Sequence, residues 1–203
     1  FPPELEQTDY YQMLLDAFPE FSRDELNKSS TRAIAAFERT VLANKAPFQK
    51  WLRGDEFAMS EKEISGAEVF FGDGGCVACH QGPALSSPVG ATEDQVFFAV
   101  GFSDLDVNEI IGDVADGVRL GRGGLTGLDE DNYKFKVPQL YNLADINVFG
   151  HGGSFSSVRE VVEYKNAGVA QNEASITNLD YRFIPLNLSA TQVDDLVEFL
   201  EVS

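Results

Sequence analysis

The pentapeptide Cys76-Val77-Ala78-Cys79-His80 is a complete CxxCH motif, and it constrains the fold of this chain more than any other feature. Two thiols at this spacing can each form a thioether with a vinyl group of haem, and the adjacent imidazole can then bind the iron. The chain has only these two cysteines, so the motif uses every thiol. We therefore predict one covalent haem c, held by Cys76 and Cys79 with His80 as the proximal iron ligand.

Other readings of the motif explain less of it. A disulfide between Cys76 and Cys79 would close a short, strained ring, and a thioredoxin-like pair would need a preceding strand and a following helix. Neither accounts for His80. A zinc site would leave His151 as the only other imidazole, without a second CxxC or an HxxxH pair.

The charge of the chain limits its partners. Its 203 residues are 43% hydrophobic and 24% charged, as in an ordinary soluble globular protein. The net charge of −18 comes from 33 acidic and 15 basic residues, which argues against nucleic acid or an anionic membrane as a partner. A cationic electron-donor protein or a high-salt habitat fits this charge better. Solvation of the surface alone is the other explanation.

The sequence also bears on the compartment. No apolar run approaches the ~20 residues of a membrane span, and the chain opens without a basic segment followed by an apolar one. We expect a soluble protein from which any signal peptide has been removed. Because haem c is attached after export, we expect a periplasmic or extracellular location.

Helix starts are marked by capping boxes, in which a Ser is followed three residues later by Glu or Gln. Another helix is predicted from residue 10 to a point near Pro19. The helix after the first capping box should continue to about Asn44, with Ile34, Phe37 and Val41 on one face. The four boxes are Ser22 with Glu25, Ser60 with Glu63, Ser157 with Glu160, and Ser189 with Gln192.

The middle of the chain predicts loops. Residues 83–138 are rich in Gly and Asp, with one apolar run at 96–100 that predicts a short strand. Loops this long usually serve a function or wrap around something, and a haem is a large apolar group to wrap. We predict an all-α, cytochrome c-like haem domain with long loops. The whole chain, 1–203, is expected to be one domain, with a linker-like helical segment at 1–32 and the haem domain at 33–203.

Two motifs in these loops have weaker interpretations. Asp104-x-Asp106-x-Asn108 begins like a calcium loop but lacks the Gly and the final Glu of an EF-hand. The glycine-rich stretch at 121–124 is either a turn or a segment that brings a cation to the haem. In the second case Arg119 or Arg122 would pair with a haem propionate.

Several stretches, in the same order, resemble the second, C-terminal haem domain of bacterial dihaem cytochrome c peroxidases and MauG-type enzymes. The resemblance extends from about Ala33 to Leu200. The stretches are residues 33–40, 48–55, 66–71 leading into the CxxCH and Gly82-Pro83, then Gly127, 134–143, 149–155 and 158–162.

The resemblance implies half of a dihaem enzyme. Such enzymes usually carry two CxxCH motifs, the first on an N-terminal domain where peroxide binds, and this chain has one. It is therefore expected to be a fragment, a separate subunit or a domain that works alone. The resemblance also implies calcium, bound partly by the carbonyls of Ile146 and Val148, as an option the sequence leaves open. Trp51 does not match the tryptophan between the two haems, so we expect a buried anchor or a surface aromatic.

The sixth iron ligand decides the function, because an open iron can activate peroxide whereas two strong ligands leave only electron transfer. The resemblance implies Met or Tyr as this ligand, on the helix after the His-Gly stretch, and the matching position here is Lys165. A shift of one residue would place Tyr164 there instead, so Tyr164 is also a candidate ligand. His151 is another candidate for ligation or for a distal-side polar role, and a vacant site is a further alternative. Met13 and Met59 are predicted to be core residues.

The leading functional prediction is an electron-transfer haem c domain or subunit of a dihaem peroxidase-type oxidoreductase. It would take electrons from a small donor protein and relay them to a second haem domain or chain, where peroxide is reduced. A stand-alone monohaem electron carrier and a MauG-like oxidase that modifies another protein are the alternatives.

Overall fold

The structure is a computed structural model that describes residues 5–41, 45–87, 90–92, 95–103 and 119–203. The chain divides into two compact units, Phe1–Ala43 and Asn44–Ser203. The boundary expected between residues 32 and 33 falls inside a helix of the first unit. The assignment of a linker-like segment and a haem domain on either side of it stays a prediction.

The first unit contains helices α1 (Asp9–Ala17) and α2 (Arg23–Thr40), and both were predicted. Ser22 and Glu25 form the expected capping box at the start of α2. The apolar face of α2 is exposed, with Ile34 at 57% and Phe37 at 67% of their full accessibility. The prediction of a core role for Met13 is wrong, because its side chain is 64% exposed. Sequence periodicity locates an apolar face but does not show what covers it.

The second unit is built around two helices that pack along each other. Its helices are α3 (Pro47–Leu52), α4 (Glu61–Phe71), α5 (Arg122–Thr126), α6 (Val158–Ala167) and α7 (Ala190–Glu201). The most extensive contact joins α4 to α7, and α6 also packs against α7. A Cβ at Gly66 would overlap the carbonyl oxygen of Asp195, so glycine permits the close approach of α4 and α7.

The remaining predicted caps are present, with one variation. Ser60 with Glu63 and Ser189 with Gln192 form complete capping boxes. At α6 the Ser157 hydroxyl accepts the Glu160 backbone N–H, but the Glu160 carboxylate accepts the backbone N–H of Ser156 at 2.7 Å. Each cap satisfies backbone donors that would otherwise lack partners at a helix start.

Aromatic side chains form the centre of the core. Phe48, Phe70 and Phe199 are almost fully buried, with ring centroids 5.1 Å apart for Phe48 and Phe199 and 5.4 Å apart for Phe70 and Phe199. Met59 is also buried, as predicted. This core joins α3, α4 and α7. Cys76 packs against it, so the core supports the CxxCH segment.

The loop region contains a short antiparallel ladder. Strand β1 (Phe97–Phe98) pairs with β2 (Phe135–Lys136), Phe97 opposite Lys136 and Phe98 opposite Phe135. The strand predicted within residues 96–100 is therefore confirmed. The fold is predominantly helical, with this ladder as a departure from a purely α protein. Among the described residues, no helix has the length and apolar character needed to cross a bilayer.

Candidate functional site

A cavity of about 560 Å³ lies in the second unit. This size falls in the range of about 300–1,000 Å³ that is usual for cofactor sites. Its walls are mainly apolar, including Phe70 from α4, Phe98 from β1, and Val161 from α6. Cys76, Cys79 and His80 all line it. The structure thus brings the complete CxxCH motif to one large apolar cavity.

The two thiols are partly buried. Cys76 begins a short 3-10 turn, Cys76–Ala78, that follows Gly75 in the left-handed conformation. Burial raises the pKa of Cys76 to about 11 and also raises the pKa of Cys79. The two are not bonded to each other. Both thiols therefore stay protonated at neutral pH, unlike the low-pKa cysteines of redox and thiolate-metal sites.

The ring of His80 is oriented by a backbone carbonyl. Its Nδ1 lies 2.9 Å from the carbonyl oxygen of Leu85, and because a carbonyl only accepts, Nδ1 carries the proton and donates it. Nε2 then keeps its lone pair for a metal. Burial lowers the pKa of His80, so the ring is neutral, the form that binds iron.

Leu85 adopts an unusual backbone conformation to present that carbonyl. It is buried and has φ +45°, a region that is costly for a branched side chain. Reciprocal backbone hydrogen bonds between Gln81 and Ser86, at 2.7 and 3.0 Å, close the turn around it. The loop after the CxxCH motif is therefore built to hold one carbonyl against His80.

The amine of Lys165 belongs to the same cavity. It lies near the end of α6 and lines the cavity wall, with Nζ 4.5 Å from the ring centre of Phe102 and 4.9 Å from that of Phe183. Burial lowers its pKa to about 7, despite the opposing influence of Cys79 and Cys76. A substantial fraction of its amine is therefore neutral at physiological pH, which removes the usual obstacle to lysine as a ligand.

The other two candidate ligands, Tyr164 and His151, differ from Lys165 in their contacts. Tyr164 donates its hydroxyl to the carbonyl of Val100 at 2.7 Å, and it is not among the described residues that line the cavity. Burial raises the pKa of Tyr164, which disfavours the phenolate. His151 lines the cavity with its ring centre 4.3 Å from that of Phe135. The structure thus brings Lys165 and His151 to the cavity with the motif, whereas the Tyr164 ring packs against Phe102, Phe155 and Phe183.

The arginines predicted to meet a propionate lie elsewhere. Neither Arg119 nor Arg122 is among the described residues that line the cavity. The Nε of Arg122 donates to Asp131 at 2.9 Å, and its guanidinium lies 4.4 Å from the ring centre of Phe97. Their role toward a propionate stays a prediction.

A different arginine lines the cavity, and the sequence interpretation missed it. Arg182 donates through Nε and Nη2 to both carboxylate oxygens of Asp180, at 2.6 and 2.7 Å. The charges of both side chains act on Cys79. The two-residue spacing of Asp180 and Arg182 signals a local ion pair, but no sequence pattern places that pair at the cavity. Lys136, which also lines the cavity, was missed for the same reason.

The calcium predictions stay predictions. Ile146 and Val148 line the cavity. Among the described residues no three His, Cys, Asp or Glu side chains gather as a metal site. The calcium-like motif that begins at Asp104 lies outside the described residues.

The donor set fits haem c. The apolar cavity has the volume of a cofactor site, the two cysteines line it at thioether spacing, and the carbonyl of Leu85 fixes His80 in the iron-binding tautomer.

Comparisons with known proteins bear on the family of this chain. A family model described as di-haem cytochrome c peroxidase matches residues 3–57. The cytochrome-c peroxidase IdrP1 of Denitromonas iodatirespirans is 32% identical over 190 residues, which are 83% of this chain and 48% of that protein. The methylamine utilization protein MauG of Methylorubrum extorquens is 30% identical over 173 residues, 84% of this chain and 42% of that protein. The chain spans about half the length of the curated relatives it matches.

Solved structures show the same fold. A MauG-like protein associated with microbial copper homeostasis superposes with a TM-score of 0.67 at 26% identity, covering 84% of this chain and 55% of that one. The diheme peroxidase BthA from Burkholderia thailandensis gives a TM-score of 0.63 at 16% identity, covering 98% of this chain and 57% of that one.

Proposed function

Because this chain belongs to the family of dihaem cytochrome c peroxidases and MauG proteins, we propose that it is the electron-transfer haem c domain or subunit of such an oxidoreductase. It corresponds to the second, C-terminal haem domain. It accepts electrons from a donor protein and passes them to a second haem domain or chain, where peroxide is reduced. When bound, haem c supplies a one-electron ferric/ferrous couple.

One observation carries this proposal: the cavity that holds the CxxCH motif also holds Lys165, whose amine is largely desolvated. His80 and Lys165 would then be the residues that bind the haem iron. With both bound, the haem would supply electron transfer and would not bind peroxide. A lysine differs from the Met or Tyr that the resemblance implies at this position, so the ligand pair is a proposal specific to this chain.

The remaining candidates take supporting roles in this proposal. Tyr164 fixes the α6 end by its hydrogen bond to Val100 and forms one wall around the Lys165 amine, 5.5 Å from Nζ. His151 contributes a polar group on the cavity wall. Arg182, ion-paired with Asp180, contributes a further polar group to the cavity wall.

The exposed apolar side chains of the first unit are an argument for a partner domain. The exposed apolar side chains on α1 and α2 include Tyr10 at 75%, Ile34 at 57% and Phe37 at 67% of full accessibility. Apolar stripes of this kind mark surfaces that bind another protein or domain. We assign the second haem domain or chain to that role, together with a cationic electron donor that the net charge of −18 attracts. The proposed location is periplasmic or extracellular, since haem c is attached after export, and calcium is a further proposed ligand.

Two measurements on the protein matured with haem c test the proposal. Mass spectrometry of the denatured chain should show one covalently retained haem, and the Cys76→Ser/Cys79→Ser double variant should lose it. The chain alone should be reduced by ferrous mitochondrial cytochrome c but should not consume peroxide. Peroxide turnover by the chain alone would contradict an electron-transfer role.

Native mass spectrometry of the protein from its host separates the split enzyme from a stand-alone carrier. A second haem-bearing chain in the complex supports the first. A chain observed without a second haem-bearing chain, with a low-spin haem that does not react with peroxide, supports the stand-alone carrier and overturns the peroxidase assignment.

A further inference from the structure

An apolar depression lies between α3 and α4, at the edge of the buried core. Its volume is about 230 Å³. Two large aromatic side chains remain partly open to solvent there, Trp51 at 38% and Phe71 at 44% of full accessibility. We name it the Trp51 surface. Its lining residues are Trp51, Met59, Ile64, Ala67, Glu68 and Phe71.

A continuous series of ring contacts leads from this surface to the proximal ligand. The ring centres of Phe71 and Phe70 lie 5.1 Å apart, and those of Phe70 and His80 lie 6.4 Å apart. Phe70 is almost fully buried and lines the large cavity. Because electron tunnelling decays more slowly through packed atoms than across gaps, this series is a short route from solvent to His80.

One acidic side chain, Glu68, lines the Trp51 surface. In the segment 50–73 the exposed acidic side chains outnumber the basic ones, and one of the basic ones, Lys62, is already paired with Glu198 at 2.8 Å. An apolar centre that carries an acidic side chain, in a segment with an acidic excess, is complementary to a basic protein with an apolar contact face. The exposed acidic residues are Asp55, Glu56, Glu61, Glu68 and Asp73, and the basic ones are Lys50, Arg53 and Lys62.

We propose that the Trp51 surface is the docking site of a small cationic electron-donor protein, and that electrons enter through Phe71 and Phe70 to His80. The haem that His80 would hold would supply the acceptor for one electron from the donor, with no proton or group transferred. This inference rests on the proposed function and adds the side of the domain at which the donor binds.

Stopped-flow reduction of the ferric holoprotein by ferrous mitochondrial cytochrome c, a basic haem protein, tests the site. Glu68→Lys should lower the second-order rate about fivefold to tenfold at low ionic strength, and salt should reduce this difference. Glu130→Lys, the same charge reversal on an exposed residue outside this surface, is the matched control and should change the rate much less. Equal effects of the two reversals would overturn the proposal, because they would show only a general charge effect.

A second pair of variants tests the apolar centre. Trp51→Ala should weaken binding of cytochrome c, measured as a rise in the donor concentration at half-maximal rate, with an unchanged haem spectrum. Leu125→Ala, at an exposed apolar residue elsewhere, should leave that concentration unchanged. An unchanged concentration in Trp51→Ala would overturn the docking site.

Reduction by hexaammineruthenium(II), which needs no protein docking site, separates the two levels of the account. If the unmodified haem accepts electrons from this reagent but Glu68→Lys behaves like the control, the docking site fails and the proposed function stands. If the haem is high-spin and turns over peroxide, the proposed function itself fails.

Discussion

Replacement of Lys165 is the most informative perturbation of the site. An ordinary lysine has a pKa of 10.5, and burial lowers that of Lys165 to about 7. At pH 7 the neutral fraction rises from roughly 1 in 3,000 to about one half, a gain of about three orders of magnitude. This gain makes the amine available to bind iron without an additional cost of deprotonation.

Lys165→Ala should therefore convert a low-spin ferric spectrum into a high-spin one that responds to cyanide. Lys165→Met should keep a low-spin spectrum, because a thioether can replace the amine, and should raise the reduction potential. The optical spectrum and a potentiometric titration measure both effects.

The pH dependence follows from the same group. Its pKa in the folded chain is below the unfolded value, and iron binding lowers it further, so protonation competes with ligation only below about pH 7. The low-spin spectrum should hold above that pH and decline as the pH falls.

Lys136→Ala is the matched control, because Lys136 also lines the cavity but is exposed and donates to the Val137 carbonyl at 3.3 Å. Its spectrum should equal that of the unmodified protein. A low-spin spectrum that survives in Lys165→Ala, or that is lost in Lys136→Ala, would refute the reasoning.

Three further predictions concern the frame of the site. Phe199→Ala should lower the free energy of unfolding by about 3–5 kcal/mol in urea titration, because the side chain is fully buried; an effect under about 1 kcal/mol would contradict this. Gly66→Ala should destabilise the chain strongly, since the new Cβ meets the carbonyl of Asp195, and an unchanged thermal midpoint would refute the close helix contact. Asp131→Asn should lower the thermal midpoint at neutral pH, because it weakens the ion pair with Arg122. The Arg122 guanidinium holds the pKa of Asp131 below its usual value. The midpoints of the two proteins should therefore differ above the pKa of Asp131 and converge below it, where the carboxyl group is protonated.

Local signals in the sequence predicted much of the framework. The capping boxes at Ser60 and Ser189 were found as expected, because a cap depends on residues within one turn. The CxxCH motif likewise predicted a haem site, since its chemistry lies within five residues. These features are local, so no knowledge of the tertiary fold was needed.

Non-local features were harder to predict. Met13 has the periodicity of a core residue yet is exposed, because periodicity does not report what lies against a helix face. Arg182 reaches the cavity from a loop more than a hundred residues after the motif, and only the fold brings them together. Lys165 and Tyr164 are adjacent in sequence, and the turn of α6 decides which of them lines the cavity.

The ferric optical and electron paramagnetic resonance spectra of the haem-loaded chain test the central claim most directly, recorded with and without peroxide and cyanide. An iron closed by His80 and Lys165 predicts a low-spin spectrum that neither reagent alters. A high-spin spectrum that changes on addition of peroxide would contradict the electron-transfer assignment and would indicate an open catalytic iron.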